Sequence, residues 1–212
     1  YEVYENRKTQ KGRKIPINVV LVPATGEAPA DDPLVFFAGG PGASTVEMAS
    51  GQVAFRSHDL EAHDFLFVDY RGTGQSYPLY CPYQEQGIKS IQDAMEHFIK
   101  LEAIPECLDA LSQKADLRQY TTPNIVDDVS EVITALGYEQ VNLWGGSYGT
   151  RAAMSFMRRH PEQVRTVTLE GVAPHDAKVP LSFAADAQDA LDAWLRVCRD
   201  DAACDAAFPD LV

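Results

Sequence analysis

The sequence predicts an α/β fold, a mainly parallel sheet with helices on both faces. Three observations predict it. Apolar runs recur at residues 34–37, 65–68, 141–144 and 164–169, and such continuous runs belong to strands covered on both faces. Segments with helical spacing lie between them, and strands alternating with helices favour parallel pairing. Each run also stops abruptly in a polar or glycine-rich turn, where open α/β sheets carry their sites.

Residues 1–14 are polar and basic (Arg7, Lys8, Lys11, Arg13, Lys14) and read as an edge hairpin or a loose start. Residues 15–22 are β-rich and predict one strand, followed by a turn-rich connection over 25–33. The run Leu34-Val35-Phe36-Phe37 ends in Gly39-Gly40-Pro41-Gly42, and Phe65-Leu66-Phe67-Val68 ends in a turn from Asp69 to Ser76. Residues 77–120 interrupt the alternation with a cysteine-bracketed, partly helical insertion. Residues 123–136 place Ile125, Val126, Val129, Val132, Ile133 and Leu136 at helical spacing, with Gly137 as a stop. Thr122 is the expected N-cap and Pro123 the first helical residue. A second helix is expected over 148–159, stopped by His160-Pro161, and a third over 181–199. The division expected is a core over 1–175 and the beginning of a cap over 176–212.

The chain has 212 residues, 45% of them hydrophobic, enough for one domain with a real core. No apolar run approaches the roughly 20 residues of a membrane helix, so no membrane partner is expected. Tyr1-Glu2-Val3-Tyr4-Glu5 has neither the basic start nor the apolar core of a secretion signal, so export would need a signal already removed. The formal net charge of −13 repels polyanions, which excludes nucleic acid as the expected partner. The same charge suits either plain solubility or a site that attracts a peptide's free amino group.

The four cysteines fall into two local pairs, Cys81 with Cys107 and Cys198 with Cys204. Neither Cys-x-x-Cys nor paired histidine spacing is present, so no metal site is expected. Two disulfides and an oxidising compartment, periplasmic or secreted, are the natural reading. The first would close a loop of about 27 residues, which stabilises by roughly 3.5 kcal/mol in the chain-entropy model. Free thiols of a cytosolic protein are the alternative.

Gly145-x-Ser147-x-Gly149 follows a buried strand and opens a helix. A nucleophile on that turn needs small neighbours, which the glycines supply, and its hydroxyl then stands clear of the sheet. The Tyr148 N–H, at the helix N-terminus, can donate to a developing oxyanion. Gly39-Gly40-Pro41-Gly42 occupies the place where a second donor is needed, and the Gly40 N–H is the candidate. Asp69 and Arg71, at the third turn, read as braces of the loop rather than reacting groups.

Three strings carry a resemblance. They are Phe37-Ala38-Gly39-Gly40-Pro41-Gly42, the run Asp69-Tyr70-Arg71-Gly72-Thr73-Gly74-Gln75-Ser76, and Gly145-Gly146-Ser147-Tyr148-Gly149-Thr150-Arg151. In this order they resemble the prolyl aminopeptidase and tripeptidyl aminopeptidase group of α/β-hydrolase serine peptidases, over about residues 33–174. Cys198 to Cys204, followed by Ala206-Ala207-Phe208-Pro209, looks like the exported, capped members. The resemblance implies an acyl-enzyme on Ser147, an oxyanion hole from Gly40 and Tyr148, a peptide substrate with a free N-terminus, and no cofactor. Prolyl iminopeptidases usually have His where this chain has Ala38, which favours the tripeptidyl-type branch.

A serine nucleophile needs a base and an orienting acid, and in this fold both follow it in the chain. Only His160 and His175 follow Ser147. His160 ends a helix, where a cation offsets the dipole, and His175 reads as a loop residue. His58, His63 and His97 precede the serine. The chain is therefore expected to be the N-terminal part of a longer protein, whose remainder carries the Asp and the His in the same or a cleaved chain. A carboxylesterase or lipase on the same scaffold, and a non-catalytic binding domain if the chain is complete, are the competing readings.

Overall fold

The structure is a computed structural model that describes residues 1–82, 90–91 and 101–209. The predicted His97 lies outside the described residues. The chain divides into two compact units, Tyr1–Val172 and Ala173–Val212.

The first unit opens with a hairpin. β1 (Glu2–Tyr4) pairs antiparallel with β2 (Lys14–Pro16), which sets Val3 against Ile15. Both side chains are buried. The single strand expected over 15–22 is thus two, β2 and β3 (Val19–Val22). Pro16 has no N–H to extend a ladder, and Asn18 turns away, its N–H donating to Ser76 Oγ at 2.8 Å.

The main sheet is five-stranded, in the order β3, β5 (His63–Val68), β4 (Ala30–Phe37), β6 (Val141–Gly146), β7 (Val164–Glu170). β3 runs antiparallel to β5, and all other pairings are parallel. β4 starts earlier than its apolar run and shifts register between Ala30 and Leu34. Pro33 sits in that irregularity, where a missing N–H breaks no ladder bond.

Period-2 alternation divides the strand side chains between two layers. Val35, Phe37, Leu66, Val68 and Leu143 join the cluster of α4 (Thr122–Ala135) and α5 (Tyr148–Arg159), with Val126, Val129, Ile133 and Phe156. Phe36, Phe65, Phe67 and Trp144 form the other, closed by Leu60 of α2 (Asp59–Ala62) and Val53 of α1 (Ala49–Phe55). Phe36 stacks on Phe67 with ring centroids 4.7 Å apart. Helices therefore cover both faces, as the continuous apolar runs require.

The bounds of α5 are those predicted. For α4, Thr121 rather than Thr122 is the N-cap residue, and it makes no side-chain capping bond. The Thr122 hydroxyl is held instead by Tyr148 Oη at 2.7 Å, a tertiary contact that local capping rules do not contain. Gly137 ends this helix at φ +87°.

Cys81 is bonded to Cys107 of α3 (Ile104–Lys114), with Cα atoms 5.0 Å apart. In the second unit, α6 (Phe183–Asp200) and α7 (Ala202–Ala207) are joined by Cys198–Cys204. Among the described residues no helix is long and apolar enough to cross a membrane.

Candidate active site

β4 sends the chain to β5 on one side of the sheet, whereas its other neighbour, β6, sends it onward to β7. The carboxyl ends of β4 and β6 are thus a topological switch point, and the crevice there is where open α/β sheets bind ligands. Gly39 follows one end and Ser147 the other.

Ser147 adopts φ 53°, ψ −119°. A non-glycine residue held there is strained, by about 1–3 kcal/mol. Its backbone is pinned on both sides. The Ser147 N–H donates to the Glu170 carbonyl at 2.9 Å, and its own carbonyl accepts from Thr150 N–H at 3.0 Å and Thr150 Oγ1 at 2.7 Å. The side chain remains exposed. The turn can form only because its neighbours are small. A Cβ on Gly149 would overlap the Phe37 carbonyl oxygen, so α5 rests directly on the end of β4. A Cβ on Gly39 would stand 3.2 Å from Ser147 Cβ and 3.7 Å from its Oγ.

Gly40 follows at φ +110°, joined to Pro41 by a cis peptide. The structure therefore brings the turn of Gly39 and Gly40 together with Ser147. Tyr148 begins α5, and its N–H, the first of the helix, has no intrahelical acceptor. Its ring is fixed by the Thr122 hydroxyl and by Tyr70, edge-on at 6.2 Å. Burial pushes the Tyr70 phenol well above its usual pKa, so it stays protonated and donates to the Ala38 carbonyl at 3.1 Å.

Asp69 is the anchor of the glycine-rich turn. Its buried carboxylate accepts from Ser44 Oγ at 2.7 Å and Val46 N–H at 3.0 Å, both just beyond that turn. It also accepts from Asn18 Nδ2 at 2.9 Å and Gln75 N–H at 3.1 Å. Burial raises the pKa of this group, but the four donors outweigh it and hold it below the usual carboxylate value. The clamp thus stabilises the fold fully above the free aspartate pKa of about 3.9, and is lost only as pH falls through the lower folded value.

Arg71 is fully buried and donates to Asp128 at 2.6 and 2.7 Å, to the Glu5 carbonyl at 2.8 Å and to the Gln119 carbonyl at 3.1 Å. Both residues brace the loop, as their sequence context suggests. That Asp69 reaches across to Ser44 and Val46 is the part sequence reasoning missed. Its only trace was the recurrence of both turns in one resemblance.

His160 and His63 of the first unit take structural roles. His160 Nε2 faces Asp127 Oδ1 at 2.9 Å, Nδ1 faces Ser130 Oγ at 3.2 Å, and the ring packs on Phe156. This Ser–His–Asp row mimics a catalytic triad. Ser130 is buried within α4, however, and donates to Gln163 Oε1 at 2.7 Å, so it has no access to a substrate. His63 bonds to the Asp32 carbonyl, His58 is exposed, and His175 is exposed in the second unit. Among the described residues no cluster of three or more His, Cys, Asp or Glu side chains could hold a metal ion.

Residues 32–196 match the family model of the alpha/beta hydrolase fold. The chain belongs to this family. As an α/β-hydrolase it is also similar to three curated proteins. It is 27% identical to serine protease Hip1 of Mycobacterium tuberculosis, across 88% of this chain and 38% of that protein. It is 26% identical to tripeptidyl aminopeptidase of Streptomyces lividans, across 76% of this chain and 32% of the relative. It is 25% identical to proline iminopeptidase of Xylella fastidiosa, across 68% and 33%. The chain thus spans well under half the length of the α/β-hydrolase relatives it matches.

One expectation arises directly from the Asp69 clamp. Asp69→Asn replaces an acceptor-only group by one with a single acceptor oxygen, so at least one donor loses its partner. In the intact protein kcat is expected to fall about 10²-fold through displacement of the turn. KM should change little. Steady-state kinetics with a urea melt on the same sample check this, and an unchanged kcat would mean the turn holds its place without Asp69.

Proposed function

We propose that this chain carries the nucleophile-bearing part of a serine hydrolase that cleaves peptides near a free N-terminus. The observation that carries the reading is Ser147 itself. It is held at a strained φ at the switch point, exposed, with the Gly39 turn against it. Ser147 Oγ attacks the carbonyl carbon, the Oγ–C bond forms, and the Gly40 and Tyr148 N–H groups receive the oxyanion. The C–N bond then breaks, and the serine proton passes through a general base to the departing amine. Water hydrolyses the acyl-enzyme by the same route in reverse.

Within this reading the base and its acid lie downstream of Val212, on strands added at the edge of β7. Two points support it. Among the described residues β7 pairs only with β6, and the matched region is well under half of each relative. The peptidase reading is preferred to an esterase because the relatives named above are a serine protease and two exopeptidases by name. The two disulfides favour an oxidising location, periplasmic or secreted.

A fluorophosphonate probe applied to the full-length protein tests the chemistry. Labelling should map to Ser147 by peptide mass spectrometry, and absence of labelling there would remove the proposal. Parallel kinetics on an aminoacyl amide and a short acyl ester distinguish peptidase from esterase.

A further inference from the structure

We infer that a cavity beside Ser147 is the subsite for an uncharged, apolar side chain on the acyl side of the cleaved bond. The inference rests on the acyl-enzyme reading above and adds to it the class of residue accepted.

The cavity measures about 570 Å³ and lies wholly in the first unit. Pro41 and Gly42 of the glycine-rich turn form one wall, and Tyr148 forms another. These two segments are the ones whose N–H groups are proposed to hold the oxyanion. In the acyl-enzyme proposed above, the acyl substituent of a carbonyl held by these segments enters the cavity they share. No lining residue is a histidine or a carboxylate. The group that protonates the leaving amine must therefore approach from another side.

The chemistry of the walls sets what can enter. Arg71 is the one cationic lining residue, and its guanidinium is already neutralised by Asp128 and spent on three backbone carbonyls. Tyr120 Oη donates to Glu5 Oε1 at 3.0 Å. Tyr148 Oη and Thr122 Oγ1 hold each other, Tyr70 Oη is given to Ala38, and Thr73 Oγ1 is given to the Tyr70 carbonyl at 2.9 Å. What remains facing the cavity is ring, proline and Ile125 surface, with the exposed Thr121 as the polar exception. A charged side chain would lose water there and meet no unpaired opposite charge, whereas an aliphatic or aromatic one only sheds unfavourable hydration. A volume of this size accommodates a large side chain.

Thr121 gives access to a test. It lines the cavity, is exposed, and makes no capping bond, so its replacement leaves the core untouched. The experiment uses the full-length protein and a series of aminoacyl p-nitroanilides with free N-termini, in which the acyl residue is Ala, Phe, Glu or Lys and the leaving group is constant. The unaltered protein should favour Phe over Glu and Lys by at least about tenfold in kcat/KM. Thr121→Trp should lower the Phe-to-Ala ratio about tenfold by narrowing the cavity. Thr121→Glu should raise Lys relative to Phe. Hydrolysis that persists with none of these ratios moved, in either variant, overturns the subsite while leaving the acyl-enzyme reading intact. Absence of hydrolysis across the series, with Ser147 unlabelled by the fluorophosphonate, overturns the acyl-enzyme reading and the subsite with it.

Discussion

Ser147→Ala is expected to lower kcat of the intact enzyme by about 10⁴-fold or more, with no loss of fold. The magnitude follows from the role proposed for Oγ, because nothing else at the turn can form the acyl bond. The stability follows from the geometry. The turn is pinned through Ser147 N–H, given to Glu170, and through its carbonyl, held by Thr150. Neither bond uses the hydroxyl. Alanine tolerates φ 53° no better than serine, so the strain stays and the unfolding free energy from urea denaturation should move by less than about 0.5 kcal/mol. Ser147→Gly separates the two effects. It should be equally inactive yet more stable, by about 1 kcal/mol, because glycine relieves the positive φ. A variant that is inactive and stabilised marks a residue held in strain for its chemistry. If Ser147→Ala kept its activity, the nucleophile would lie elsewhere.

The contrast between what was legible and what was not has a physical basis. The strands were legible because burial on both faces demands continuous apolar runs, and Phe65, Leu66 and Phe67 are fully buried. The turn at Ser147 was legible because close packing of α5 on β4 tolerates only glycine at 149. Both constraints act within a few residues of the motif. The features that escaped are decided by distant partners. Residues 15–22 split because Asn18 is drawn to Asp69 and Ser76. The cap of α4 fell one residue early because Tyr148 claims the Thr122 hydroxyl. The cavity arises where the glycine-rich turn, the Arg71 turn and the start of α4 meet, and no local pattern encodes that meeting. Histidine spacing was least informative of all. His160 takes up a triad-like arrangement through helix–helix packing alone.

Asp128→Ala is expected to destabilise the intact protein by about 3–5 kcal/mol, a large share of the stability of an ordinary domain. Asp128 lies within α4 and meets both Arg71 and Arg7 at 2.6 Å. Arg7 is partly exposed and keeps Glu131, also at 2.6 Å. Arg71 has no such recourse, because its side chain is fully buried. Removing Asp128 leaves that charge with only backbone carbonyls, those of Glu5, Gln119 and Tyr4. The penalty is therefore that of an orphaned guanidinium rather than the net worth of an ion pair. The double variant Arg71→Met/Asp128→Leu discriminates between the two, since replacing both partners by apolar groups of similar volume should recover most of the loss. Urea denaturation of the single and double variants is the measurement. A single-variant loss below about 1 kcal/mol would place the pair with surface ion pairs. The same substitution bears on specificity, because Arg71 lines the cavity beside Ser147. With its counter-charge gone, the wall becomes cationic. Acyl residues with a carboxylate side chain should then gain on Phe in relative kcat/KM, at temperatures where the variant is still folded. Neutrality of the subsite is thus a property of Asp128, a residue of α4 that does not itself line the cavity.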